Sequence, residues 1–284
     1  MKFQVASDIH LENFKPGQTI RSVIKPVAEN LIIAGDLGRV ENANFFKNAL
    51  KDLCSVFKRV IFVPGNHEYY SMGLNKINMA NVDLFLHNLS LEEGFRNLTI
   101  LNNNTTVVDD VLIFGSTFWS QCPQQHYLAT QLYKNGKLVD ATEYNNMHKI
   151  AVQTLRDTID YASREHLRLL VVTHHAPSFE GTLAPHHIVD NKAPAKGNTK
   201  NYMYCSDNIK LVNDPVVVAW IYGHTGYNGN IGKLVTNQMD KPTGIRNAVL
   251  TIKPFNRVPQ PLPSPVALTN VEQCETYEMM ELEN

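Results

Sequence analysis

The chain has 284 residues, with 26 Lys and Arg against 27 Asp and Glu, 11 His and 4 Cys. At 43% hydrophobic and 19% charged residues it is a globular sequence, long enough for a large core and neither disordered nor fibrous. A net charge of −1 excludes the field of a dedicated nucleic-acid binder, and the longest apolar run, residues 216–222, is far short of the ~20 residues of a membrane span.

Short β-branched runs alternate with longer amphipathic ones. Residues 3–7 read as a first strand, 30–35 as a second and 59–65 as a third, and their spacing of about 30 residues fits βαβ units. Helical periodicity fills 45–57 between the second and third strands. Further strands are predicted at 98–101, 111–114, 169–173 and 216–222, and a long helix at 142–164, entered through Thr142 and Glu143. Ser206 or Asp207 is the expected cap of a following helix. Residues 177–203, rich in Pro and Gly, read as a long functional loop. After Arg257 come four Pro and then five Glu without Lys or Arg, so the predicted organisation is a domain at 1–256 and a Pro-rich, acidic tail at 257–284. The body is left modestly positive, which suits phosphate handling. Cys54, Cys122, Cys205 and Cys274 have no paired spacing, and the N-terminus reaches Asp8 too early for a signal peptide. A reducing, cytoplasmic setting is therefore expected.

The chemistry lies at the strand ends. In order they carry Asp8-Ile9-His10, Gly35-Asp36, Gly65-Asn66-His67-Glu68, His174-His175 and Gly223-His224. Each piece alone is weak: a Gly-Asp is usually a turn, and a lone His is usually a satisfied polar residue. Five strand ends, in order, with metal-competent side chains are harder to dismiss, because α/β sheets bind ligands beyond the carboxyl ends of their strands. The absence of thiolates among them argues against a structural zinc site and for hard divalent cations.

This ordered set resembles the calcineurin-like metallophosphoesterase family, whose pattern is Asp-x-His, Gly-Asp, Gly-Asn-His-Glu/Asp, His and Gly-His-x-His. The resemblance implies an α/β fold, a four-layer αββα sandwich of two mixed sheets flanked by helices. It implies a metal-dependent phosphoesterase that hydrolyses phosphomonoesters or phosphodiesters with a hydroxide activated by two metals. Carried over residue by residue, Asp8 and His10 hold the first metal, Asp36 bridges, and Asn66, His174 and His224 hold the second. His67 is the catalytic residue that meets phosphate and protonates the leaving oxygen, and Asp8 is expected to orient its imidazole as well as to ligate. Mn2+ suits the ligand set best, with Fe, Zn or Mg as alternatives. The expected partner is a small phosphorylated substrate such as a nucleotide, with Asn66, His67, His175 and Arg39 as candidate contacts.

One position departs from the pattern. The final His is Gly226 here. The first metal site is therefore expected to be weak or empty unless Mn2+ is abundant, with a substitute ligand from His186 or His187 as a remote option. The alternative reading is a protein that binds a nucleotide or phosphate ligand with little or no turnover.

Overall fold

The computed structural model describes residues 1–71, 76–184, 188–190, 193–194, 199–239, 245 and 247–253. The tail at 257–284, Cys274, and both His186 and His187 lie outside the described residues. In chain order the first half contains β1 (Lys2–Ala6), α1 (Ile20–Val23), β2 (Asn30–Ala34), α2 (Ala43–Cys54), β3 (Arg59–Val63), α3 (Met79–Leu91), β4 (Leu98–Ile100), β5 (Asn104–Val108) and β6 (Val111–Ser116). Then come β7 (Tyr133–Lys134), β8 (Lys137–Leu138), α4 (Ala141–Arg164), β9 (Arg168–Thr173), β10 (Ile188–Asp190), β11 (Ala193–Pro194), α5 (Ile209–Val212), β12 (Val217–Tyr222), β13 (Leu234–Thr236) and β14 (Val249–Thr251).

Ten strands form two five-stranded sheets, in the orders β14-β1-β2-β3-β4 and β13-β12-β9-β6-β5. Each is parallel inside with one antiparallel edge, β14 on β1 and β5 on β6. The central strands are buried on both faces, which is why they read as continuous apolar runs and not as alternating ones. Alternate side chains divide between two environments. Phe3, Val5, Ile32 and Ile61 meet Ile113, Leu170, Val172 and Ile221 between the sheets. Leu31, Ile33 and Phe62 face outward onto α2 and α3, while Leu169, Val171 and Trp220 face outward onto α4. The result is the expected α/β sandwich, two mixed sheets with helices on both outer faces.

Some local expectations change. The long helix begins at Ala141 because the Asp140 carboxylate accepts from the Glu143 amide, one residue before the predicted entry. Neither Ser206 nor Asp207 caps α5. Asn208 occupies the cap position, and the Ser206 hydroxyl accepts from the Gln121 amide instead, 2.6 Å away. Parts of the long loop are regular: β10 pairs with β11, and residues 199–203 form a 3-10 turn. Among the described residues Cys54, Cys122 and Cys205 are buried free thiols. No helix among the described residues is long and apolar enough to cross a membrane.

Packing of α4 generates a pH-dependent term. His148 is 5% exposed, donates from Nδ1 to the Trp119 carbonyl and lies edge-on to Phe118. Burial pushes its pKa down to about 4, against about 6.5 in an unfolded chain. Because the unfolded state binds this proton first, stability falls as pH drops from 6.5 toward 4, by on the order of 3 kcal/mol. Urea denaturation between pH 7 and 4 should show a flatter stability curve for His148→Gln, by about that amount; parallel curves would exclude the account.

Candidate metal centre

Five strands deliver the site to one edge, where the carboxyl ends of both sheets meet. Asp8 and His10 follow β1, Asp36 follows β2, Asn66 and His67 follow β3, His174 follows β9 and His224 follows β12. Each turn bends sharply. Asp8, His10, Asp36 and His224 have φ of 56°, 53°, 53° and 70°, a left-handed conformation that non-glycine residues seldom adopt. These are four of the nine such non-glycine residues among those described, so backbone strain is concentrated here.

The two sheets are joined at this edge by polar contacts. His174 Nδ1 donates to the Ala34 carbonyl at 2.8 Å, and the His224 amide donates to both Asp8 carboxylate oxygens at 3.0 and 3.1 Å. Such proximity demands missing side chains. A Cβ on Gly35 would collide with the His174 ring and lie 2.8 Å from Gly65 Cα. A Cβ on Gly65 would strike the Asp36 carboxylate.

Asp36 is 1% exposed and lies at the centre. Its Oδ1 accepts from the His67 amide at 2.8 Å, and its Oδ2 is 3.3 Å from His174 Nε2, 3.8 Å from His10 Nε2 and 3.9 Å from His67 Nε2. Ligand-competent atoms fall into two groups that share it: Asp8, His10 and Asp36, and Asp36, His174 and His224, each with its atoms within 4.8 Å of one another. Asn66 Oδ1 joins the second at 2.9 Å from His174 Nε2, and His224 Nδ1 lies 3.1 Å from the same nitrogen.

The donor set fits a cation. With its Nδ1–H committed to Ala34, His174 in its neutral form would turn a lone pair from Nε2 toward Asn66 Oδ1, Asp36 Oδ2 and a nitrogen of His224, a cluster that calls for a cation at its centre. The electrostatics register the same demand. Burial opposes charging of His174, but Asp36 and Asp8 outweigh it and raise its pKa to about 9. Burial likewise opposes charge on Asp36, yet the neighbouring His174 holds it well below the usual carboxylate range. His224 is driven down, first by burial and then by His175 and His174. Oxygen and imidazole donors in this mixture suit hard to borderline divalent ions.

The Asp8 carboxylate accepts from the His224 amide. His67 Nδ1 meets Glu12 Oε1 at 2.8 Å. His175 is 1% exposed, with Nδ1 on the Thr117 carbonyl and Nε2 3.3 Å from the Tyr144 hydroxyl. It packs on His224, ring centroids 4.2 Å apart. Arg39 is 3.8 Å from Glu12 and 3.6 Å from Glu41, in reach of the site's rim. Glu68 accepts from the amides of Asp36, Gly38 and Gly65, and burial with the charge of Asp36 raises its pKa to about 7. Sequence reasoning missed Glu12, whose only signal is its place two residues after His10. It also missed Tyr204, edge-on to His224 at 4.9 Å.

The comparisons with known proteins agree with this architecture. Residues 1–227 match the calcineurin-like phosphoesterase family. An uncharacterized protein of Acanthamoeba polyphaga mimivirus is 27% identical over 226 residues, covering 74% of this chain and 77% of the relative. The crystal structure of phosphopantetheinyl hydrolase from Mycobacterium tuberculosis superposes with a TM-score of 0.61 at 16% identity, covering 84% of this chain and 88% of that one. At that identity the likeness is one of fold.

Gly35→Ala should cost about 2–4 kcal/mol, combining a left-handed φ of 85° with the collision on His174. Gly226→Ala, at φ 67° with no atom within 4 Å of the new Cβ, should cost only about 1 kcal/mol. Equal urea midpoints for the two variants would refute the packing account.

Proposed function

The chain belongs to the calcineurin-like phosphoesterase family, and from that premise we propose that it is a hydrolase of small phosphomonoesters or phosphodiesters with a dinuclear metal site. The observation that carries the proposal is the pair of ligand groups sharing the one carboxylate of Asp36. Asp8, His10 and Asp36 would hold one cation, and Asp36, Asn66, His174 and His224 the other, with Mn2+ the best match to these donors. Bound there, two divalent ions would supply Lewis acidity toward the phosphate and activation of water at neutral pH.

The chain's own residues supply the rest. His67 keeps its side chain 26% exposed and its Nε2 on the Asp36 side, so that nitrogen is placed to protonate the departing oxygen of a bound ester. Asn66, 3% exposed, would offer its Oδ1 beside His174 Nε2, 2.9 Å away. Arg39, 22% exposed at the rim, is placed to offset negative charge on a substrate phosphate.

Gly226 attenuates the first group in this reading. Its backbone amide donates to Gln238 Oε1 at 2.7 Å, and it has no side chain to offer a ligand. That feature also supports the second reading, a protein that captures a nucleotide or another phosphate ligand and turns it over slowly.

The two separate on p-nitrophenyl phosphate and bis-p-nitrophenyl phosphate with added Mn2+. Hydrolysis that Asn66→Ala lowers by about 100-fold or more supports the enzyme. Thermal stabilisation by nucleotides with no turnover supports the binder. Calorimetry should give one tight and one weak Mn2+ equivalent, and Gly226→His should tighten the weak one by about tenfold or more. Two equally tight equivalents in the unmodified protein would rule out attenuation.

A further inference from the structure

The turn after β1 holds an acidic residue outside the two groups that share Asp36, with its carboxylate within 4.8 Å of ligand-competent nitrogens of His10 and His67. Glu12 sits in a 3-10 turn, Leu11–Asn13, fixed over the end of β2. The His10 amide donates to the Asp36 carbonyl at 3.0 Å and the Leu11 amide to the Leu37 carbonyl at 2.9 Å. Leu11 is 3% exposed and packs so tightly on Gly38 that a Cβ there would lie 2.8 Å from Leu11 Cβ. The Glu12 side chain is thereby held in place, with only 10% of it exposed.

One oxygen of that carboxylate meets two imidazoles. Glu12 Oε1 is 2.8 Å from His67 Nδ1 and 3.2 Å from His10 Nδ1. The rings are edge to face with centroids 4.4 Å apart. Their other nitrogens point the same way: His10 Nε2 is 3.8 Å and His67 Nε2 3.9 Å from Asp36 Oδ2. Glu12 Oε2 has no hydrogen-bond partner among the described residues, and Arg39 Nε lies 3.8 Å from Oε1.

We infer that Glu12 is a positioning residue that sets the tautomer of His10 and His67 together. An ionised carboxylate only accepts hydrogen bonds, so both Nδ1 atoms must be the donors. For His10 this leaves an Nε2 lone pair facing Asp36 and Asp8, which is what a metal ligand needs. For His67 it leaves Nε2 as the one nitrogen able to exchange a proton with a substrate oxygen. Affinity at the first ligand group and proton delivery to the leaving group then depend on one side chain. The second half of the inference rests on the phosphoesterase reading above; the first half does not.

The test compares the full-length protein with Glu12→Gln and Glu12→Ala. Long-range 1H–15N spectra of 15N-histidine-labelled, metal-free protein report each tautomer directly. Both rings should carry the proton on Nδ1 in the wild type and in Glu12→Gln, which keeps a carbonyl acceptor at the same reach. Both should become mixed in Glu12→Ala. Calorimetry should show the weaker Mn2+ equivalent loosened about 10–100-fold by Glu12→Ala. The same variant should lose far more kcat on phenyl phosphate than on p-nitrophenyl phosphate, whose leaving group needs no proton. Unchanged tautomers or unchanged Mn2+ affinity in Glu12→Ala would overturn the assignment for His10. An unchanged His67 tautomer, or equal losses on the two esters, would overturn it for His67. A wild type that binds Mn2+ and hydrolyses neither ester defeats the phosphoesterase reading; the spectra and the affinities still decide Glu12.

Discussion

A carboxylate with 1% of its surface exposed cannot stay charged without partners, and Asp36 is such a carboxylate. The edge where the two sheets meet is organised by that constraint. The His67 amide and the ring of His174 address the Asp36 carboxylate, and Glu68 takes the Asp36 backbone amide together with those of Gly38 and Gly65. Gly35 and Gly65 are bare because the His174 ring and the carboxylate occupy the space their side chains would need. The left-handed turns at Asp8, His10, Asp36 and His224 are tolerated because neighbouring strands fix them on several sides. Removing the Asp36 charge would leave His174, at the junction of the sheets, facing Asn66 and His224 with nothing to balance them.

Much of this was legible in the sequence because two periodicities carry it. Central strands buried on both faces read as unbroken apolar runs, and their chain order predicts which ends share an edge. The metal-competent residues are legible for the same reason, since each follows its strand within a few positions. What is hidden depends on partners distant in sequence. The run Met79–Leu91 shows no clean amphipathic stripe, because Leu84 and Leu91 stay exposed while Val82, Leu86 and Leu89 are buried, so α3 gives little periodic signal. The edge strands β13 and β14 are three residues each and take their register from β12 and β1.

Glu12 and His175 illustrate the same limit at the site. Two adjacent histidines look equivalent on paper, yet the bend that follows β9 gives them different partners. His174 turns toward Asp36, while His175 is spent on Thr117 and Tyr144 behind it. Glu12 looks like a surface acid until its turn is seen folded over Asp36 and Leu37. The contact with His67 then spans 55 positions of chain, far outside any local pattern.

The two ligand groups are unequal, and the inequality is confined to side chains. The group around His174 is buried and tied to Ala34, Asn66 and His224. The group around His10 lies nearer solvent, with 22% of that side chain exposed, and adjoins the loop carrying Gly226. That loop is not loose. Gln238, 2% exposed, accepts from the Gly226 amide and donates to Thr225 and Tyr227. The space where a Gly226 side chain would stand is open, with no atom within 4 Å of its Cβ. In the proposed reading the missing donor would weaken the hold on the first cation while leaving intact the fold that presents Asp8, His10 and Asp36. In such a site the orientation of each remaining imidazole counts for more. Glu12 bears directly on that orientation, since it fixes the ring of His10 from the side opposite Asp36.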